Sequence, residues 1–415
     1  MQTDIPEATR NTAQGREAEA ILRSCVHCGF CLATCPTYQL LGDELDSPRG
    51  RIYLIKRMLE GEAERATVRD HLDRCLTCRA CESTCPSGVR YTRLAGIGRE
   101  AAERSRGWID KGARKILAVF LLTPWLLRSA YALGKALWPL LPAGTQRKIP
   151  RVGPARAWPQ TRHARTMLLL DGCVQPVLVP AVNAAAARVL HRLGIALLRV
   201  DAAGCCGAIE HHLSQHERAL HAMRRNIDAW WPHLEQGAEA ILSTASGCGV
   251  QIREYGELLA DDPCYAEKAR RVSELARDIS EVVAAEEAKL GDLLADKPVA
   301  AKARLAFHSP CTLQHGLRIR GVVERLLEAC GHELVPVADG HLCCGSAGTY
   351  SMLQPALSRR LRDDKLAKLT AGQPRQIATA NIGCQLHLQA GSALPVHHWI
   401  ELLDEALSGD GKRRG

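Results

Sequence analysis

Cys25-Val26-His27-Cys28-Gly29-Phe30-Cys31-Leu32-Ala33-Thr34-Cys35-Pro36 is answered further along the chain by Cys75-Leu76-Thr77-Cys78-Arg79-Ala80-Cys81-Glu82-Ser83-Thr84-Cys85-Pro86. Both runs read Cys-x2-Cys-x2-Cys-x3-Cys-Pro, the spacing that holds a pair of [4Fe–4S] cubanes. Three thiolates two residues apart wrap a turn of chain around three corners of a cube, and the fourth corner needs a sulfur from elsewhere. Where two such clusters share a domain, the fourth Cys of each run serves the other cluster. The spacing therefore predicts Cys25, Cys28, Cys31 and Cys85 around one cluster and Cys75, Cys78, Cys81 and Cys35 around the second. Zinc is the alternative, although it more often draws four cysteines from two Cys-x2-Cys pairs.

The chain has 415 residues, 46% hydrophobic and 24% charged, enough for two or three domains and a sizeable core. Eighteen cysteines in so long a chain, opening on the polar Met1-Gln2-Thr3-Asp4-Ile5-Pro6-Glu7, point to metal and a reducing compartment rather than to disulfides. The longest apolar run, Ile116 to Leu127, is interrupted by Pro124 and falls short of the roughly twenty residues that span a bilayer. It continues through Tyr131, Leu133, Leu137, Trp138, Leu140 and Leu141, interleaved with Arg128 and Lys135. That composition suits either helices packed between domains or an amphipathic segment lying in a membrane interface. The net charge of +9 has a near explanation in Arg49, Arg51, Arg74, Arg79, Arg90 and Arg93, close in sequence to the thiols, where they would offset anionic clusters. With 4% aromatics and no nucleic-acid motif, no nucleic-acid partner is expected.

Residues 1–104 read as an all-α domain around the clusters, with helices over Arg16–Ser24, Gly50–Gly61 and Ala66–Arg74. Residues 105–164 form a Pro-punctuated helical connector ending in the loop-like 150–154. Beyond it the chain repeats itself. A strand through Met167–Leu170 leads to Cys173, a helix over Pro180–Leu193 follows, and a strand over Ile195–Val200 leads to Cys205-Cys206-Gly207. In the second half a strand through Leu305–Phe307 leads to Cys311, a helix spans Gly321–Cys330, and a strand over Glu333–Val337 leads to Cys343-Cys344-Gly345. Cys311, Cys343 and Cys344 each lie 138 positions beyond Cys173, Cys205 and Cys206. Each half then adds a long helix, a strand and one more cysteine, Cys248 or Cys384. Alternating strands and helices predict two α/β units, residues 165–300 and 301–415, each with a short, mainly parallel sheet. The cysteines fall at the strands' C-terminal ends, where open α/β sheets bind ligands. The fold class is thus α+β multidomain: an all-α iron–sulfur domain followed by two repeated α/β units.

Cys173, Cys205, Cys206 and Cys248, and Cys311, Cys343, Cys344 and Cys384, are candidate metal ligands, with Gly207 and Gly345 supplying loose backbone that lets neighbouring sulfurs converge. Cys264 and Cys330 fall outside the pattern and read as buried structural thiols. The repeated set resembles the cysteine-rich CCG domain that occurs twice in heterodisulfide-reductase-like proteins. Its last element departs from the Cys-x2-Cys of that family: Gln251 follows Cys248 and His387 follows Cys384 at the third position. Four cysteines per motif remain, so a conventional cluster, zinc or a metal-free thiol site stand beside the non-cubane cluster that the full form implies. His387, His308, His315, His341, His211 and His212 lie near the motifs as further candidate ligands.

A helical two-cluster ferredoxin followed by two CCG domains resembles the iron–sulfur subunits of glycolate oxidases. The strings that carry the likeness include Asp46-Ser47-Pro48-Arg49-Gly50-Arg51-Ile52, Ser246-Gly247-Cys248-Gly249-Val250-Gln251 and Asn381-Ile382-Gly383-Cys384-Gln385-Leu386-His387-Leu388. Iron–sulfur subunits of lactate or glycerol-3-phosphate dehydrogenases share the outline, and a heterodisulfide-reductase-like thiol–disulfide enzyme is a further alternative. No Gly-x-Gly-x-x-Gly opens a helix after a strand, so nothing in the chain is expected to bind a dinucleotide. Cubanes pass electrons singly, and hydride abstraction belongs to another cofactor. The resemblance implies flavin-binding partner subunits that oxidise glycolate to glyoxylate, with this chain passing electrons to an acceptor such as quinone. The cysteine usage leads us to expect a cytoplasmic location, and the basic surface and the 116–141 segment suit peripheral attachment to the inner membrane.

Overall fold

The structure, a computed structural model, describes residues 1–142, 146, 156–295 and 303–409; the loop expected at 150–154 lies outside them. The first 104 residues form helices and no strand. Ala13–Ser24, Pro48–Leu59, Arg65–Asp73 and Tyr91–Glu103 close on a core that includes Leu22, Ile55, Leu72 and Leu94. Their starts follow local chemistry. The Thr12 hydroxyl accepts from the Gly15 N–H and Ser47 Oγ from the Gly50 N–H, each at 2.9 Å, and Pro48 occupies the first helical position.

Two four-stranded parallel sheets follow. The first is ordered β2-β1-β3-β4 with β1 Arg165–Leu169, β2 Ile195–Arg199, β3 Ile241–Ser243 and β4 Ala276–Asp278. The second repeats it as β6-β5-β7-β8, with β5 Arg304–His308, β6 Glu333–Leu334, β7 Gln376–Thr379 and β8 Val396–His398. The expected strand at Glu333–Val337 stops at Leu334, because Pro336 has no N–H to give a ladder. The edge strands β4 and β8 were not foreseen; each is three residues long and runs into a helix through a capping box built on Asp278 or His398.

The two units share one core. Met167, Leu169 and Val189 of the first pack in a cluster with Leu305, Phe307 and Val323 of the second. Polar ties reinforce the joint: Arg188 and Arg192 pair with buried Asp404, and His398 Nε2 donates to the Thr244 carbonyl at 2.8 Å.

The connector helices Trp108–Leu122 and Pro124–Ala136 do not sit between the units as a packed layer. They bend by 84° at Thr123 and bury only Ala118, Leu121 and Leu127, leaving Trp108 83% and Trp125 66% exposed. Among the described residues no single helix is long and apolar enough to cross a membrane, although this bent pair is so by combined length and composition. The arm is anchored at its base, where Arg106 and Arg114 both pair with Asp73. At its elbow Leu122 packs against the core of the first α/β unit.

Candidate metal centre

The two N-terminal runs share one backbone. His27 and Thr77 take φ of 56° and 53°, and Gly29 and Arg79 take 85° and 62°, each pair standing at matching places in its run. Left-handed backbone at non-glycine residues is costly and collects at functional sites; here it coils the chain so that three thiols face inward. One cavity, of about 30 Å³, is lined by Cys25, Cys28, Cys31 and Cys85. A second, of about 20 Å³, is lined by Cys35, Cys75 and Cys78; Cys81 borders both cavities. Apolar cavities rimmed by four converging thiols fit thiolate-held inorganic cores. Each cavity gathers three cysteines of one run with the last cysteine of the other.

The surroundings of the two cavities differ. Cys28 is exposed beside exposed Val26 and Phe30, so the first lies at the surface. The second is walled in. Burial pushes the Cys75 thiol up, but Arg51, Arg99 and hydrogen bonds from the Tyr91 hydroxyl and the Thr77 N–H outweigh it and hold it below its usual range. Arg51, 1% exposed, brings Nη1 to 4.0 Å from Cys35 Sγ and 3.1 Å from Thr37 Oγ1, and pairs with fully buried Asp46. Asp46 also holds Arg74 and His71.

Of the six arginines expected to offset cluster charge, Arg51 alone hydrogen-bonds a thiol. Arg79, Arg90 and Arg93 instead pair with Glu254 or Glu257 and fasten the helical domain to the first α/β unit. Arg99, which sequence proximity missed, donates to the Cys75 and Leu72 carbonyls at 2.8 and 3.1 Å.

The repeated cysteines converge as well. Thiol contacts run Cys173–Cys205–Cys206–Cys248 in one unit and Cys311–Cys343–Cys344–Cys384 in the other, with Cys311 and Cys343 sulfurs 3.8 Å apart. Gly207 and Gly345 both take φ of +88°, and a Cβ on Gly345 would stand 2.6 Å from the Ser358 carbonyl oxygen, which only glycine avoids. Their N–H groups donate to Cys205 Sγ and Cys343 Sγ at 3.5 and 3.4 Å.

Other expected candidates fall away from the sulfurs. His387 bonds Ser358, and His315 bridges Ser83 and the His341 carbonyl. His211 and His212 stack on each other. Cys330 packs at the edge of the shared core, whereas Cys264 is exposed rather than buried because its turn faces solvent.

The centres are laid out in sequence through the molecule. Cys311 and Cys343 share a small buried cluster with Leu76 and Cys78, placing the second α/β thiol set against the walled-in cavity. Ser246, two residues before Cys248, bonds Thr312, the neighbour of Cys311, at 2.7 Å.

A 4Fe-4S dicluster domain family matches residues 21–89, and a cysteine-rich domain family matches residues 167–253 and again 305–389. Fold and thiol geometry together define an iron–sulfur electron-transfer protein with two [4Fe–4S] clusters. The chain is 51% identical to the glycolate oxidase iron-sulfur subunit of Escherichia coli (strain K12) over 98% of its length and 99% of that protein. It is 28% identical to the "Probable glycolate oxidase iron-sulfur subunit" of Bacillus subtilis (strain 168), over 92% and 91%. Lactate utilization protein A of Geobacillus kaustophilus is 25% identical and covers 56% of the chain and 95% of that protein. The chain belongs to the family of glycolate oxidase iron–sulfur subunits.

Proposed function

We propose that the chain carries electrons from flavin-binding subunits that oxidise glycolate to glyoxylate, and delivers them to quinone at the cytoplasmic face of the inner membrane. Cys25, Cys28, Cys31 and Cys85 hold the surface cluster; Cys75, Cys78, Cys81 and Cys35 hold the inner one. The two CCG thiol sets each bind metal and extend the relay. The observation that carries this reading is the succession of thiol sets: surface cavity, walled-in cavity, Cys311 set, Cys173 set. The family supplies the substrate, since two relatives that span over nine-tenths of the chain are named for glycolate oxidase.

The test is anaerobic purification of the chain with its partner flavoproteins. Glycolate is expected to bleach the clusters within turnover time and to give their reduced paramagnetic resonance signals. If lactate or glycerol 3-phosphate reduces them while glycolate leaves them oxidised, the substrate assignment fails.

Arg51 should tune the inner cluster. At an effective dielectric near 20 and a separation on the order of 7 Å, a buried positive charge favours the reduced form of a cluster by about 2 kcal/mol, on the order of 100 mV. Arg51→Met is therefore expected to lower one cluster's midpoint potential by that amount and leave the surface cluster's in place, with Arg74 and His71 still holding Asp46. A potentiometric titration in which both clusters move together, or neither does, would sink this role.

A further inference from the structure

His308 ends β5 and lies 2% exposed beside the second CCG thiol set. One of its ring nitrogens, Cys344 Sγ and Cys384 Sγ all fall within 4.8 Å of one another. Its Nε2 makes no hydrogen bond. An unmade buried hydrogen bond costs roughly 1–3 kcal/mol, and the other buried histidines of this α/β unit, His315 and His398, avoid that cost with carbonyl partners.

The internal repeat shows that the fold does not need this histidine. Leu168 stands opposite Ile241 in the first sheet as Ala306 stands opposite Ile377 in the second, so two residues on, Leu170 is the counterpart of His308. Leu170 is buried in the cluster that contains Cys205 and Cys206. A second exchange has the same sense. In the long helices, buried Ala219, Ala222, Asn226 and Trp230 correspond to Ser358, Leu361, Lys365 and Leu369, so a buried ammonium near Cys343 and Cys344 replaces a neutral amide. The second site thus carries an imidazole where the first carries an alkyl side chain.

We propose that His308 is a metal ligand, giving the second CCG site a mixed imidazole–thiolate donor set where the first has sulfur alone. The proposal rests on the reading that the CCG cysteines bind metal. Imidazole and thiolate together suit iron of a cluster or zinc, and in iron–sulfur centres histidine in place of cysteine raises the reduction potential. Such a site, lying against the inner cluster, would draw electrons forward from it.

The experiment uses the full chain, purified anaerobically from cells fed ring-15N histidine, with iron, zinc and sulfide counted per chain. If the metal beyond the two cubanes is iron, pulsed paramagnetic resonance across a redox titration should show an imidazole coupling that scales with the nitrogen isotope. If it is zinc, zinc-edge absorption should show nitrogen in the metal shell. His308→Leu, which installs the side chain its counterpart already carries, should abolish that nitrogen signature and lower the extra metal by about half, while Leu170→His should add nitrogen at the first site. Extra metal with an all-sulfur shell that His308→Leu leaves unchanged would overturn the ligand assignment alone. Absence of any metal beyond the two cubanes would overturn the CCG metal reading, and this proposal with it. Should His308→Leu fail to fold, the isotope comparison on the wild-type chain still decides.

Discussion

Cys35→Ser is expected to remove the cluster gathered by Cys75, Cys78 and Cys81, not the one gathered by its own neighbours Cys25, Cys28 and Cys31. Cys35 is buried at the start of Pro36–Leu41, bonded to Thr37 and reached by Arg51, and it faces the walled-in cavity. Iron should fall from about eight per chain in the two cubanes to about four. Double variants identify the lost cluster. Cys35→Ser with Cys78→Ser should look like Cys35→Ser alone, whereas Cys35→Ser with Cys28→Ser should strip both cubanes. The reverse pattern would mean that each run closes its own cluster. Because the inner cavity borders Cys311 and Cys343, losing that cluster should also leave the CCG centres unreduced by substrate while the surface cluster still responds.

The crossing and the repeat were legible because both are written as spacing. Thiols at fixed intervals constrain the chain whatever surrounds them, and the constant 138-residue offset aligned two units before any strand was known. What the spacing could not convey was direction. Six arginines near the cysteines looked alike, yet three turn outward to Glu254 or Glu257, while Arg99 reaches the Cys75 carbonyl from the far side of a helix. The strands Ala276–Asp278 and Val396–His398 escaped for a related reason: three residues carry no period, and their partners on β3 and β7 hold them in place. His308 was one histidine among six near the motifs. The signal that separates it was present in the offset, which sets it on Leu170, but its meaning depended on which face of the strand meets the sulfurs.

The exposed arm carries the other large effect. Trp108, Ile116, Trp125 and Leu133 are exposed on helices that also expose Lys111, Lys115, Arg128 and Lys135. Apolar residues with a basic surround are the composition of a segment lying in a lipid interface, and apolar exposure gathered on one structural element rimmed by polar residues marks an interaction surface. Each basic side chain near an anionic bilayer contributes roughly 1 kcal/mol, so replacing these four by glutamine should weaken binding to phosphatidylglycerol vesicles by several hundredfold or more. Added salt should mimic that loss, since surface charges are screened within about 10 Å at 0.1 M. Trp108→Ser with Trp125→Ser should remove the salt-resistant remainder. None of these residues lines a thiol cavity, so glycolate-driven reduction of a soluble dye should persist while quinone reduction in vesicles falls. Vesicle binding indifferent to both sets of changes would refute a membrane role for the arm. Because the arm's elbow packs against the core of the α/β unit that holds the Cys173 set, detachment should leave electrons stranded at the last CCG centre, visible as its accumulation in the reduced state under turnover.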